Sequence, residues 1–492
     1  MAAGPTVLLS HSYYLAHDAK QRRKMKPYPP LATLLAAGVL RARGFDVVFF
    51  DAMLASGERD FVRVLDASGA RVVGILEDNF NFLTKMCTTR NREAALAMTA
   101  AALSRGCRVV VNGPDATDHA PEYLAAGADA IIVGDPELGM AELAALWAED
   151  AEASPASVAG LALHGGIGLD RKVVVRRTPP RPLLEDLDAI PFPAWDLVDA
   201  SAYRAAWTKA HGRLSWNVVT TRGCPYRCNW CAKPVWGNRY AQRSPANVAD
   251  EVRRLAESVR PDHLWFADDI FGLSPRWIES YSEALAARGV RIPFTMQSRV
   301  DLMTPSAVAA LARAGAEEVW MGVESGSQKI LDAMDKGTRV EQVRDATRLL
   351  RFHGIRPAWF LQLGYPGETW DDILATRRLV RDEHPSDVGV SVSYPLPGTA
   401  FYERVRGEMG TQTNWRTSDD LAVMFHGTYE QSFYRYAHDL LHAEVESFQK
   451  PFAQRGPSFD ERWSSLGALE AGFRTTLDVA HSDPTPIGLA PV

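Results

Sequence analysis

Three of the chain's five cysteines fall in one run, Thr220-Thr221-Arg222-Gly223-Cys224-Pro225-Tyr226-Arg227-Cys228-Asn229-Trp230-Cys231. The spacing is C-x3-C-x2-C. Disulfide scaffolds spread cysteines through small secreted chains, so this crowding in a long chain points to a metal. A structural zinc site commonly takes four protein ligands in paired knuckles, and no fourth ligand stands nearby. Three thiolates on an iron-sulfur cluster leave one iron open, where a substrate or cofactor can bind. Gly223 lets the backbone turn sharply into the loop, and Pro225 stiffens it.

Such a loop needs a rigid frame. From Trp216 the sequence alternates short apolar strands with helices: strands at Trp216–Thr221, His263–Ala267, Pro293–Gln297, Glu318–Val323, Arg356–Leu363 and Gly389–Ser393. Helices are expected between them at Pro245–Ser258, Pro275–Arg288, Pro305–Arg313, Gln328–Asp335, Val340–His353 and Thr369–Arg381. Six strands with crossover helices predict an open, partial (β/α)6 barrel over residues 206–400, with its chemistry at the C-terminal strand ends. The cysteine loop follows the first of these strands. Beyond residue 400 the pattern becomes mainly helical, with a long amphipathic helix at Ser432–Lys450 and a loose proline-bearing tail at Ser482–Val492.

Residues 1–150 carry an earlier α/β series, with strands at Val7–Leu9, Asp46–Phe50, Val72–Ile75, Arg108–Val111 and Ala130–Val133. Short apolar strands separated by helices predict a parallel, Rossmann-like sheet covered on both faces. Ligands bind such sheets beyond the carboxyl ends of the strands. Residues 151–205, with Pro179, Pro180, Pro182, Pro191 and Pro193, read as a proline-rich linker, in which Val173–Val175 adds an edge strand or hairpin.

Composition excludes several classes. A chain of 492 residues is expected to form two or three domains. Its net charge of -6, from 54 basic and 60 acidic residues, gives no reason to expect nucleic acid. Met1–Ser10 lacks the basic start of a leader, and no apolar run reaches the roughly 18 residues of a membrane span, so a cytoplasmic location is expected. The oligomeric state is not readable.

The cysteine loop resembles the signature C-x3-C-x-Φ-C of radical S-adenosylmethionine (SAM) enzymes, with Trp230 as the aromatic residue. The resemblance implies one [4Fe-4S] cluster on Cys224, Cys228 and Cys231, with SAM on the open iron, and an external one-electron reductant such as flavodoxin or ferredoxin. It also implies that Asp268 or Asp269 meets the SAM amino group, Arg299 the carboxylate and Ser298 the ribose, with Gln297 beside them. Gly322-Val323-Glu324-Ser325-Gly326 is similar to the family's G-x-E-S-G segment, and Gly364-Tyr365-Pro366-Gly367-Glu368-Thr369 to its G-x-P-G-E-T turn beside the adenine.

The whole chain resembles the cobalamin (B12)-binding-domain radical SAM family, the branch containing the anaerobic magnesium-protoporphyrin ester cyclase and radical SAM methyltransferases. Matching pieces are Tyr28–Ala32, Gly38–Asp51, Asn112–Asp115 and Gly127–Glu137. The strand-end loops then supply the corrinoid contacts: Glu77, Asp78, Asn79, Asn112, Gly113, Asp115, Thr117 and Gly134. Asp115, Asp118 and His119 do not form the D-x-H-x-x-G spacing that places a histidine on cobalt, and neither His11 nor His17 does, so binding without a protein imidazole is expected. Cys87 and Cys107 read as packing residues.

Both cofactors together imply a cobalamin-dependent radical SAM methyltransferase acting on an unactivated carbon, or phosphorus, of a small molecule, through a 5'-deoxyadenosyl radical and methylcobalamin. A cyclase or oxidative rearrangement enzyme is the alternative, and a non-catalytic SAM-binding scaffold a remote one. Tyr394, at the end of the sixth barrel strand, is the expected catalytic side chain toward the substrate.

Overall fold

The structure is a computed structural model and describes residues 5–231, 239–450 and 459–475. The tail expected at Ser482–Val492 lies outside the described residues.

The first sheet has seven strands in the order β2-β1-β3-β4-β5-β6-β7. These are β1 (Thr6–Ser10), β2 (Asp46–Phe50), β3 (Val72–Leu76), β4 (Arg108–Asn112), β5 (Ala130–Ile132), β6 (Leu161–Ile167) and β7 (Val173–Arg177). β1 to β5 run parallel. Helices Leu31–Ala42 and Pro136–Glu149 pack against one face, and helices Glu58–Ser68 and Thr89–Leu103 against the other. The central strand β3 is buried throughout, as its unbroken apolar sequence requires.

β6 and β7 lie within the stretch expected to be a proline-rich linker, and β7 falls where an edge strand or hairpin is expected. They form an antiparallel hairpin that extends the first sheet beyond β5. Only after Arg177 does the chain become an irregular strap, which ends at helix Ala200–His211.

The second sheet has six parallel strands in the order β15-β14-β13-β12-β11-β8. They are β8 (Ser215–Val218), β11 (His263–Phe266), β12 (Phe294–Ser298), β13 (Ala316–Glu324), β14 (Arg356–Leu363) and β15 (Asp387–Val392). β8 and β15 are the two edges, so the barrel is partial and open, as the strand count requires. The strand expected at Trp216–Thr221 is split. It leaves the barrel after Val218, and β9 (Thr221–Gly223) pairs antiparallel with β10 (Tyr240–Gln242).

The N-terminal domain leans on the open barrel. Asn217 Nδ2 donates to the Pro29 carbonyl at 2.8 Å, and the Tyr28 and Ser215 hydroxyls meet at 3.0 Å. Lys85 pairs with Asp269. The region after the barrel clasps both: Thr89 N donates to Trp415 O at 2.9 Å and Ser418 Oγ to Asp18 at 2.9 Å. Its long helix, Gln431–Phe448, packs along β15. Among the described residues, no helix is long and apolar enough to cross a membrane.

Candidate functional site

The chain leaves the barrel at the cysteine loop because Asp268 draws it out. This carboxylate, fully buried at the end of β11, accepts from Thr220 N at 2.7 Å, Thr220 Oγ1 at 3.0 Å, Thr221 N at 2.6 Å and Thr221 Oγ1 at 2.8 Å. Burial pushes its pKa up to about 6, and the four hydrogen bonds oppose that rise. Asp268 is therefore a strut for the loop. Asp269, the next residue, turns instead to Lys85 of the first domain.

Cys224, Cys228 and Cys231 stand half-buried on this one loop. Among the described residues, no three His, Cys, Asp or Glu side chains converge closely enough to hold a metal. The surroundings of the loop are nonetheless suited to anionic sulfur. Arg299 Nη1 lies 3.8 Å from Cys228 Sγ, and its guanidinium sits 3.7 Å over the Tyr226 ring. Lys336 is buried beside the loop; Glu324 at 2.7 Å and Cys228 hold it protonated against the burial. Cationic neighbours of this kind favour thiolates.

Asn229 fixes the middle of the loop. Its amide donates to Ala333 O and Asp335 Oδ2, each at 2.9 Å, and accepts from Tyr365 Oη at 2.9 Å. Its backbone joins Met334 O and Phe401 N. Trp230 lies 5.9 Å from the Lys336 ammonium, with its indole N–H buried and unpaired among the described residues.

Arg222 ties the loop to the first domain. Its buried guanidinium meets Asp135 Oδ2 at 2.8 Å and Glu137 Oε1 at 2.7 Å. Glu137 lies in the first turn of helix Pro136–Glu149, directly after the Gly134 loop. Sequence reasoning gave no role to Arg222, Asn229 or Lys336, because their partners are far away in sequence.

Other barrel residues divide into contacts and supports. Gln297 Nε2 donates to the Asp268 carbonyl at 2.5 Å, and Ser298 Oγ to Phe271 O at 3.3 Å. Arg299 also grips Asp301 through Nε at 2.9 Å and Nη2 at 3.1 Å, so the carboxylate expected for it from SAM has a rival on the chain. Glu324 takes a left-handed backbone (φ 63°) at the end of β13 and is occupied by Lys336. Ser325 Oγ meets Thr376 Oγ1 at 3.3 Å. Gly364 N donates to Glu368 Oε2 at 2.6 Å, and burial raises the Glu368 pKa to about 8. Buried oxygens without partners among the described residues stand at Gln362 Oε1, Glu368 Oε1 and Ser393 Oγ, all at the C-terminal ends of β14 and β15.

Tyr394, the side chain expected toward the substrate, is engaged by the chain itself. Its hydroxyl donates to Met86 O at 2.9 Å and accepts from Asn414 Nδ2 at 3.3 Å and Trp415 N at 3.4 Å. Its ring lies 4.3 Å from that of Trp415. It joins three segments of the chain.

On the first sheet, Glu77 Oε1 accepts from Ser12 N at 2.7 Å, and burial raises its pKa. Asp78 accepts from Ala32 N and Phe80 N, and burial brings it to about 6. Asn112 Nδ2 donates to Ile132 O at 2.9 Å and Gly134 O at 2.8 Å, and Asn79 Nδ2 approaches Asn112 Oδ1. Thr117 Oγ1 donates to Gly113 O at 2.9 Å. A Cβ at Gly113 (φ 146°) would strike Glu77 at 2.8 Å, so only glycine fits. Asp115 is committed to Arg92 at 2.8 and 2.6 Å and to Tyr123 at 2.7 Å, which corrects its expected cofactor contact. His11 is bonded to Asp51 at 3.2 Å, and His17 to Arg90. Glu77 Oε2 and Asn79 Oδ1 remain buried and unpaired among the described residues. Such orphaned groups at strand ends fit a polar ligand edge.

A doubly wound sheet with a glycine-permitted loop, followed by an open parallel barrel whose first strand leads into three cysteines, defines a two-cofactor radical enzyme framework. Family comparison agrees: the B12 binding domain matches residues 26–144, and the Radical SAM superfamily matches residues 218–380. The chain belongs to the cobalamin-binding-domain radical SAM proteins. It is similar to an uncharacterised methyltransferase of Pyrococcus horikoshii, 28% identical over 414 residues, 82% of this chain and 85% of that one. It is also similar to the anaerobic magnesium-protoporphyrin IX monomethyl ester cyclase of Rubrivivax gelatinosus, 26% identical over 77% of this chain and 66% of the cyclase. In fold it resembles the radical SAM methyltransferase TsrM of Kitasatospora setae, solved with cobalamin and a [4Fe-4S] cluster. There the TM-score is 0.64 at 20% identity, covering 82% of this chain and 75% of TsrM.

Proposed function

We propose that the protein is a cobalamin-dependent radical SAM methyltransferase acting on a small molecule. The observation that carries this reading is Arg222, which fastens the loop of Cys224, Cys228 and Cys231 to the Gly134–Glu137 turn of the corrinoid-type sheet. One chain thereby holds two cofactor sites in a fixed relation.

When bound, the cluster with SAM supplies a hydrogen-abstracting radical, and cobalamin supplies a transferable methyl group. The protein's own residues bind and orient. Cys224, Cys228 and Cys231 would hold a [4Fe-4S] cluster, with Arg299 and Lys336 offsetting its negative charge. Asp269, Gln297, Glu324, Ser325 and Gly364 would border SAM. Glu77, Asp78, Asn79, Asn112, Gly113 and Gly134 would border the corrinoid. Phe80, Met86 and Tyr394 close the junction between the domains against water, and exclusion of water protects reactive species. Electrons would come from an external one-electron carrier such as flavodoxin or ferredoxin.

The experiment uses full-length protein loaded with iron, sulfide and cobalamin, incubated anaerobically with SAM and a low-potential reductant. Release of both S-adenosylhomocysteine and 5'-deoxyadenosine is expected, one SAM giving its methyl group and a second giving the hydrogen-abstracting radical. Release of 5'-deoxyadenosine alone would favour the cyclase or rearrangement reading instead.

A further inference from the structure

The inner wall formed by β13, β14 and β15 is aromatic and uncharged, and no role above uses it. Pairing of Gly322 with Phe360, Phe360 with Gly389, and Gln362 with Ser391 sets one face of the sheet. Trp320 joins that face by alternation, and so does Ser393 just beyond β15. The opposite face, with Met321, Trp359, Leu361 and Val390, is buried under the outer helices. Trp359 belongs there, with its indole on Thr347, so it packs the shell and does not face the barrel.

Trp320 and Phe360 behave differently from those shell residues. Each is partly exposed, and neither joins the hydrophobic cores formed by the described residues. Their ring centroids lie 4.9 Å apart at 30°. Both rest over Gly389, where a Cβ would come within 3.2 Å of Phe360 and 3.4 Å of Trp320. Glycine thus lets the two rings lie low on the sheet. Above them stand Gln362, 4% exposed, and Ser393, fully buried, with Gln362 Oε1 and Ser393 Oγ unpaired among the described residues. An unpaired buried amide oxygen is an acceptor awaiting a donor. Charges on this face stay at its ends: Glu318 below accepts from Trp320 Nε1 and pairs with Arg356, Asp387 stands at the start of β15 within the influence of Glu318, Lys24 and Lys26, and Glu324 and Lys336 neutralise each other above Gly322.

We infer that this wall receives the methyl acceptor, and that the acceptor is a flat, uncharged ring system bearing an O–H or N–H donor on its edge. The inference rests on the functional reading above and adds the substrate class. Ring faces stack on Trp320 and Phe360, and Gln362 Oε1 takes the donor. Between its charged ends, a charged substrate body would find no counter-ion on this wall among the described residues.

The test needs no turnover. Three matched probes are titrated into the full chain by ligand-observed NMR: 2-naphthol, its saturated counterpart decahydro-2-naphthol, and 2-methoxynaphthalene, which lacks the donor. Expected is saturable binding of 2-naphthol, about tenfold tighter than either other probe. Trp320→Ala should abolish the preference for the flat ring, and Gln362→Leu should make 2-naphthol and 2-methoxynaphthalene equal. Should Trp320→Ala fail to fold, Gln362→Leu carries the test alone. Equal binding of all three probes to the wild-type chain, or preferences unchanged in Gln362→Leu, would overturn the inference. SAM-dependent change in the cluster spectrum, recorded on the same samples, separates failure of this inference from failure of the functional reading.

Discussion

Arg222 and Glu137 meet at 2.7 Å, almost wholly buried, and join the strand that enters the cysteine loop to the helix that follows the corrinoid-side turn. Burial works against the Arg222 charge, and Asp135 and Glu137 hold it protonated; burial raises the Glu137 pKa, and Arg222 opposes it. Removing one partner leaves a buried charge uncompensated, at a cost of about 3–5 kcal/mol. Arg222→Met should lose that much in denaturant unfolding, and Arg222→Met with Glu137→Leu should recover part of it. Additive losses in the double variant would show that the pair is not coupled.

Asp268 predicts a separation of cluster loading from SAM contact. Asp268→Ala leaves two backbone N–H groups and two hydroxyls of Thr220 and Thr221 without their acceptor. Each lost bond to a charged group costs about 1.5–3 kcal/mol. Iron bound per chain after reconstitution should fall steeply, whereas Asp268→Asn should retain a substantial part. Normal iron content in Asp268→Ala would remove its role as the strut of the loop.

Tyr394→Phe should be nearly silent in SAM turnover. Its hydroxyl serves Met86, Asn414 and Trp415, so its loss should appear as about 0.5–1.5 kcal/mol of stability. A collapse of turnover at unchanged stability would restore a catalytic role.

Glu368 sets a pH dependence. Its carboxyl has a folded pKa of about 8 against an ordinary 4.5, because burial disfavours the charge. A raised carboxyl favours the folded state fully below the unfolded pKa, and that contribution is lost as pH rises from about 4.5 through 8. Stability should decline across that window, and Glu368→Gln, neutral at every pH, should flatten the decline. An identical slope in the variant would assign the dependence elsewhere.

The sequence made some of this architecture plain and hid the rest for physical reasons. The barrel strands announce themselves because each is a short apolar run between amphipathic helices, and the cysteine loop because its ligands are local. The β6 and β7 hairpin was half hidden: Gly165, Gly166 and Gly168 interrupt its apolar signal, and only Val173–Val175 reads as strand. The departure of the chain from the barrel at Thr220 depends on a carboxylate 48 residues away. Likewise Lys85–Asp269 and Arg222–Glu137 span 184 and 85 residues, and periodicity carries no information about such pairs. The partners of Tyr394 were equally hidden, because position at a strand end says nothing about how many partners a hydroxyl already has.

The central claim is most directly tested by electron paramagnetic resonance of the reconstituted, reduced full-length protein with and without SAM. A cluster signal that SAM shifts in the wild type and that is lost in Cys228→Ala is the predicted result. A signal indifferent to SAM, or one that survives Cys228→Ala unchanged, would contradict a three-cysteine cluster with an open iron for SAM.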